Sequence, residues 1–120
     1  MATVLVVDDS STIRAHVVAT LRADGHEVVE APDGASGLAA LRGDASIAAA
    51  VVDIHMPGMD GMQMLEAFAA SGVLRLPVFI VSAESTEPMV ARARALGVAG
   101  WFVKPLDTAS LSQARRHLTT

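Results

Sequence analysis

Five short runs of apolar residues recur along the chain, and the segments between them have helical spacing. Three of the runs, TVLVV, AAVVDI and VFIVS, are almost continuously apolar and do not alternate with polar residues. Such runs are typical of strands that are covered on both faces of a sheet. The pattern predicts five strands, at Thr3–Val7, Glu27–Ala31, Ala48–Ile54, Pro77–Ser82 and Ala99–Lys104.

The intervening segments each carry one apolar stripe, as expected for helices that pack against a sheet. In the first helix Ile13, Val17 and Leu21 are spaced four residues apart, and Ser10 or Ser11 is the predicted N-cap. Because strands and helices alternate, we expect residues 1–120 to form one α/β domain, a doubly wound five-stranded parallel sheet with five helices. The stripes of the other four helices are Leu38 and Leu41, then Leu65 and Phe68, then Val90, Ala93 and Leu96, and finally Leu111, Ala114 and Leu118.

Composition excludes several classes of function. The chain has no cysteine, which rules out disulfides, thiolate catalysis and cysteine-based zinc sites. A formal net charge of -4 argues against nucleic acid as a direct partner. The longest uninterrupted apolar run, IAAAVV, is far shorter than the roughly 20 residues that a membrane-spanning helix needs. Since no basic and then apolar leader opens the chain, we expect a cytoplasmic protein without a membrane partner.

Polar side chains lie at the carboxyl ends of four predicted strands. In an open α/β sheet, functional residues gather at this edge, near the point where the strand order reverses. Three carboxylates crowded together repel one another unless a cation lies among them, and a set of oxygen ligands suits Mg²⁺. The residues are Asp8 and Asp9 after the first strand, Asp53 in the third, Ser82 in the fourth and Lys104 in the fifth.

Each of these residues, taken singly, also has an ordinary structural explanation. Asp8 and Asp9 could be loop acids or a helix cap, and Ser82 a turn hydroxyl. Lys104 is the only lysine, in a chain whose other basic residues are eight arginines. Lysine carries a compact ammonium on a flexible stem, whereas arginine carries a planar fork of donors, so a lysine at this position suggests a specific role. The alternative is a surface lysine without a role. The combination of all five indicates a functional site.

Four motifs, VVDDS, VVDIHMPGMDG, FIVSAE and GWFVKPLD, resemble the receiver domains of bacterial two-component response regulators, the CheY-like family. The resemblance covers essentially the whole chain, with matching order and spacing. It implies a flavodoxin-like sheet of strand order 2-1-3-4-5. It also implies that Asp53 accepts a phosphoryl group from a histidine kinase or a phosphotransfer protein. Such a domain is a switch and not an enzyme, beyond catalysing its own phosphotransfer and autodephosphorylation.

The resemblance further implies a ligand set for Mg²⁺. Asp9 would bind the ion directly and Asp8 mainly through a water. An oxygen of Asp53 and the backbone carbonyl of His55 would complete the protein ligands. Lys104 would pair with Asp53 before transfer and with a phosphoryl oxygen afterwards.

Four more roles follow from the resemblance. Ser82 would donate its hydroxyl to the phosphoryl group and move inward. Trp101 occupies the position of the family's switch aromatic, usually Tyr, and would then swing inward. Tryptophan is bulkier than the usual residue, so a fixed ring and a partly buried core tryptophan both stay open. The side chains of His55 and Glu84 flank the path of an attacking water and would set the lifetime of the phosphorylated state.

Output would pass through the face of the fourth helix, fifth strand and fifth helix, to a downstream protein or a fused output domain. The alternative is a receiver-like interaction module that acts without phosphorylation. Such modules usually lack the acid pair, the acceptor or the lysine, all of which are present here. A phosphatase of the haloacid dehalogenase type would carry a second acid two residues after its nucleophile, where this chain has His55. Both a free-standing receiver and a receiver within a longer regulator agree with the sequence.

Overall fold

Strands and helices alternate along the part of the chain that the computed structural model describes, residues 2–70, 74–83 and 85–104. The predicted fifth helix lies outside these residues, as does Glu84. The elements are β1 (Thr3–Val7), α1 (Ser11–Ala23), β2 (Glu27–Ala31), α2 (Gly34–Gly43), β3 (Ile47–Asp53), α3 (Gly61–Phe68), β4 (Val78–Ser82), α4 (Glu87–Leu96) and β5 (Gly100–Val103).

The five strands form one parallel sheet in the order β2-β1-β3-β4-β5, which confirms the predicted fold class and strand order. The bounds of β1 and β2 are those predicted, and the other three strands differ from prediction by one residue at one or both ends. From β1 the chain first forms β2 on one side and then crosses back to form β3 on the other side of β1, so the strand order reverses at β1. A crevice therefore opens at the carboxyl ends of β1 and β3, where open α/β sheets bind their ligands.

The core lies in two layers, one on each face of the sheet. Alternate residues of β1, β3 and β4 point to opposite faces, as the pleat of a strand requires. One layer packs the sheet against α2, α3 and α4, with Leu5, Val7, Leu38, Leu41, Ala50, Val52, Met62, Leu65, Val78, Ile80 and Ala93 among its members. The other packs it against α1, with Val4, Val6, Val17, Val18, Leu21, Ala49, Val51 and Val81.

The three helices that start beside this crevice each have a side-chain N-cap. The Ser10 hydroxyl accepts a hydrogen bond from the Ile13 backbone N–H at 3.3 Å, so Ser10 is the N-cap of α1. Asp33 caps α2 in the same way. Asp60 and Gln63 form a reciprocal capping box at the start of α3. These caps satisfy backbone donors that would otherwise be left at the edge of the sheet that carries the polar residues.

Two glycines end helices in the conformation that the sequence indicates. Gly25 and Gly97 have φ angles of 87° and 88° after α1 and α4. This left-handed region is easily reached by glycine and is the usual helix C-terminus. Of the described helices, none is both long enough and apolar enough to cross a membrane.

Replacing Gly37 by alanine is expected to destabilise the fold, because α2 packs on the sheet at this glycine without room for a side chain. A Cβ at Gly37 would lie 2.6 Å from Met64 Sδ and 2.9 Å from Val7 Cγ2. Overpacking of this kind lowers the free energy of unfolding by about 1–3 kcal/mol. The higher helix propensity of alanine offsets up to about 1 kcal/mol of this loss. We expect urea unfolding to show a net loss for Gly37→Ala.

Gly43→Ala is the matched control, at the last residue of the same helix. Apart from its chain neighbours and the backbone of its own helix, no described atom lies within 4 Å of a Cβ built at Gly43. Gly43→Ala should therefore raise the free energy of unfolding by about 0.4–1 kcal/mol. Equal stabilisation by both substitutions would contradict the tight contact of α2 with β1 and α3.

Candidate functional site

Three carboxylates meet at the carboxyl ends of β1 and β3. Carboxylate oxygens of Asp8, Asp9 and Asp53 all lie within 4.8 Å of one another. Asp8 directly follows β1 and Asp53 ends β3, and the parallel register pairs Val7 with Val52, so adjacent strands deliver both acids to one place. Asp8 and Asp53 are 4% and 2% exposed, whereas Asp9 is exposed. The structure thus brings together the three acids that the sequence placed at this edge.

Lys104 is the cation of this cluster. Its Nζ lies 3.4 Å from Asp8 Oδ2 and 3.3 Å from Asp53 Oδ2, so one ammonium bridges two carboxylates. The Lys104 backbone N–H donates to the Ser82 carbonyl at 2.7 Å, which extends the pairing of β4 with β5 by one step. The sheet therefore sets the position of the lysine backbone, and its flexible stem reaches across β4 to the acids.

The cluster carries more negative than positive charge. Among the ion pairs of the described residues, those of Lys104 alone engage these acids, which leaves an excess of two negative charges when all three are ionised. Burial raises the pKa of Asp53 to about 6, and repulsion by Asp8 adds to the rise. Lys104 and the His55 backbone N–H act in the opposite direction. The net result is a carboxylate that is expensive to ionise when no further cation is present.

These residues fit a hard divalent cation. Every potential metal ligand of the cluster is a carboxylate oxygen, the ligand type that Mg²⁺ prefers. The excess negative charge favours a dication. Asp53 Oδ1 is buried and accepts no hydrogen bond from any described residue. Buried polar atoms in native proteins nearly always have a partner, so an oxygen of this kind indicates a place for a ligand. The acidic pocket could therefore hold a metal ion.

The loop after Asp53 comes so close to the strand that only glycine fits at position 61. The Gly61 N–H donates to the Ile54 carbonyl at 3.1 Å. A Cβ on Gly61 would collide with the backbone oxygen of Asp53. Two residues of the central motif thus have structural roles, Asp60 as the cap of α3 and Gly61 at the close approach to Asp53.

The sequence predicts three further residues of the site, Ser82, His55 and Glu84. Ser82 is fully buried at the end of β4, one residue beyond Val81, the register partner of Asp53. His55 is exposed, two residues after Asp53. Ser82 thus lies at the same edge as the acids, while Glu84 lies outside the described residues.

Trp101 lies in β5, where it pairs in register with Ile80 and not with the strand ends that carry the acids. Its ring is half-buried, packs against the core layer of α4 and lines a cavity of about 190 Å³ with Val90, Val98 and Arg94. Its Nε1–H is buried and donates no hydrogen bond within the described part of the chain. The structure therefore places Trp101 at the α4–β5 junction.

Arg14 is a residue of this site that sequence reasoning missed. Its guanidinium, from the second turn of α1, donates to the backbone carbonyl of Asp8 at 2.6 Å. Next to the apolar stripe of α1, an arginine is typical of a solvated helix face. Because its partner is a backbone atom, no side-chain motif could have indicated the contact.

Comparison with known proteins identifies the class to which this fold and site belong. Residues 4–116 match the response regulator receiver domain, and the chain belongs to that family, the CheY-like signalling domains of two-component systems. CheY-like receivers act as signalling switches and are not classical enzymes.

Individual relatives agree with this assignment. The chain is 38% identical to chemotaxis protein CheY-3 of Vibrio cholerae over 113 residues, 92% of this chain and 85% of the relative. It is 37% identical to CheY of Pseudomonas aeruginosa over 112 residues, 92% of this chain and 90% of the relative. Vibrio cholerae CheY4 superposes with a TM-score of 0.86 at 30% identity over 98% of both chains.

A further solved structure is a CheX–CheY–BeF₃–Mg²⁺ complex from Borrelia burgdorferi. It matches with a TM-score of 0.85 at 27% identity, over 99% of this chain and 90% of that one. Both the fold and the family assignment therefore rest on sequence and on structure.

Asp53→Asn is expected to stabilise the metal-free protein near neutral pH. The carboxyl pKa is about 6 in the folded protein and 3.8 for an unperturbed aspartate, so the folded state holds its proton more tightly. The stabilising effect of that proton is complete below about pH 4 and is lost as the pH rises through 6. In EDTA at about pH 7.5, the free energy of unfolding of Asp53→Asn, measured with urea, should exceed that of wild type by on the order of 1–3 kcal/mol. This difference should vanish near pH 4.

Asp33→Asn provides the control with the opposite sign. The hydrogen bond from the Ser36 backbone N–H lowers the pKa of Asp33, so this carboxylate contributes stability above its usual pKa and loses it as the pH falls. Asp33→Asn should therefore gain nothing at neutral pH. A gain for Asp53→Asn that is the same at pH 4 and at pH 7.5 would show that ionisation of Asp53 is not its source.

Proposed function

We propose that residues 1–120 act as a phosphorylation-driven switch in which Asp53 accepts a phosphoryl group in the presence of Mg²⁺. The observation that carries this proposal is the setting of Asp53, a buried carboxylate beside two further acids and an ammonium, with one oxygen that has no partner among the described residues. Membership of the receiver family supports it. So does the BeF₃–Mg²⁺ complex of the CheY relative from Borrelia burgdorferi.

Asp53 is the nucleophile in this proposal. One of its carboxylate oxygens forms a bond to phosphorus while the bond from phosphorus to the nitrogen or oxygen of the donor breaks. The donor leaves with that electron pair and takes up a proton, and Asp53 becomes an acyl phosphate. Since its pKa is about 6, most Asp53 side chains are ionised and able to attack near neutral pH. Phosphoryl transfer then requires mainly positioning and charge neutralisation.

Lys104 and Ser82 serve the phosphoryl group after transfer. The ammonium, now 3.3 Å from Asp53 Oδ2, moves with the anion and contacts a phosphoryl oxygen. The Ser82 hydroxyl, at the adjacent strand end, donates to a second phosphoryl oxygen. A point charge on a flexible stem follows the shift of the anion more easily than a planar guanidinium does.

The acids would hold the metal. Asp9 would bind Mg²⁺ directly and Asp8 through a water, and Asp53 and the backbone carbonyl of His55 would supply the remaining protein oxygens. When bound, Mg²⁺ supplies positive charge that offsets the charge on the carboxylates and on the phosphoryl oxygens.

Partner binding is the output of this switch. As Ser82 moves toward the phosphoryl group, the ring of Trp101 turns inward, and the face of α4, β5 and the predicted fifth helix changes its affinity for a downstream protein or a fused output domain. A histidine kinase or a phosphotransfer protein supplies the phosphoryl group in the cytoplasm. Nucleic acid and membrane are not direct partners. The side chains of His55 and Glu84 tune the rate at which the domain dephosphorylates itself, the one other reaction we assign to it.

Intact-mass spectrometry after incubation with acetyl phosphate and Mg²⁺ tests the proposal. We expect the wild type to gain the mass of one phosphoryl group, on Asp53, because its Oδ1 has no hydrogen-bond partner within the described residues. EDTA should abolish the gain, since the excess negative charge of the acids would then repel the donor. Asp53→Asn should show no adduct.

Asp33→Asn is the matched control, an Asp-to-Asn change at the partly exposed N-cap of α2, and it should be phosphorylated like the wild type. An adduct that persists in Asp53→Asn would move the acceptor elsewhere. No adduct with acetyl phosphate or with a panel of histidine kinases would favour the interaction module that acts without phosphorylation.

A further inference from the structure

Arg14 links the acid pair to the edge strand of the sheet. Its Nη1 donates to the backbone carbonyl of Asp8 at 2.6 Å, and its Nε donates to Glu30 Oε1 at 3.1 Å. The side chain of Arg14 is 19% exposed, and that of Glu30 is 42% exposed. Two nitrogens of one guanidinium thus hold α1, the end of β1 and β2 together in the fixed geometry of the arginine fork.

The carbonyl that Arg14 contacts belongs to the peptide that joins Asp8 to Asp9. Other bonds fix Asp8 itself, because its N–H donates to the Ala31 carbonyl at 3.2 Å and its Oδ1 accepts from the Ser10 N–H at 2.9 Å. Asp9 is exposed, so its carboxylate gains little from packing. The orientation of the Asp8–Asp9 peptide plane decides where the Asp9 side chain starts.

We propose that Arg14, held in place by Glu30, is a positioning residue that orients the Asp8–Asp9 peptide and thereby sets the affinity of the acid cluster for a divalent cation. This inference rests on the proposed function, in which Asp9 binds Mg²⁺. Residues that orient metal ligands typically change the affinity by 10- to 100-fold when they are replaced, roughly the range expected here.

The charge of Arg14 and its position have opposite effects on Mg²⁺ affinity. A guanidinium near the acids repels a cation, so charge alone predicts that removing Arg14 strengthens Mg²⁺ binding. Positioning predicts that removing it weakens binding, because Asp9 loses its fixed orientation. The sign of the change therefore separates the two effects.

The experiment is a calorimetric titration with Mg²⁺ at about pH 8 and fixed ionic strength, on the metal-stripped full chain. We expect Arg14→Gln to raise the Kd by roughly tenfold. Arg14→Lys keeps the charge but cannot hold Asp8 and Glu30 with one fork, so its Kd should lie between those of wild type and Arg14→Gln. Without metal, hydrogen exchange at the Asp9 and Ser10 amides should be faster in both variants.

Arg42→Gln is the matched control, because Arg42 also donates to a backbone carbonyl, that of Ala67 at 3.5 Å, and the substitution removes the same charge. Its Kd should equal that of wild type. A Kd for Arg14→Gln equal to or below that of wild type overturns the inference. If Arg14→Gln does not fold, a wild-type Kd in Arg14→Lys overturns it. Failure of the wild type to bind Mg²⁺ would overturn the proposed function together with this inference, whereas the outcomes above overturn the inference alone.

Discussion

Mutual repulsion of three carboxylates at the ends of two neighbouring strands is the constraint on which the rest of this structure depends. Asp8 and Asp53 are delivered side by side by the parallel register of β1 and β3, and both are almost fully buried. The ammonium of Lys104 offsets part of their charge, while burial together with the remaining repulsion raises the pKa of Asp53 to about 6. A cluster in this state gains from a further cation and from a reaction that changes the charge on Asp53.

The fold can hold this cluster because the strands that carry it are fixed on both faces. Two apolar layers clamp β1, β3 and β4, so the strand ends cannot move apart to relieve the repulsion. Local contacts then set the loops, with Ser10 capping α1, Asp60 capping α3 and Gly61 allowing α3 to begin against the backbone of Asp53. Stability gained in the two layers offsets the cost of the crowded charges, as is common at functional sites.

Much of the fold and part of the site could be predicted from the sequence. Continuous apolar runs marked the strands, and the rule that parallel strands share a carboxyl edge was enough to bring Asp8, Asp53 and Lys104 together. Contacts with backbone atoms could not be predicted, and Arg14 was missed because its partner is the carbonyl of Asp8. The raised pKa of Asp53 depends on burial that composition does not report, and the packing of Trp101 depends on the space between α4 and β5. The predicted roles of Ser82, His55, Glu84 and Trp101 stay predictions.

The Mg²⁺ affinity of Lys104→Met, compared with wild type by calorimetry at about pH 8, tests most directly whether uncompensated negative charge makes this cluster a cation site. Lys104 Nζ contacts Asp8 and Asp53, so its ammonium competes with a metal for the same carboxylates. Lys104→Met should bind Mg²⁺ several-fold more tightly than wild type, because the cluster loses its one positive charge while the strands keep the acids in place. Unchanged or weaker binding in a folded Lys104→Met protein would contradict it.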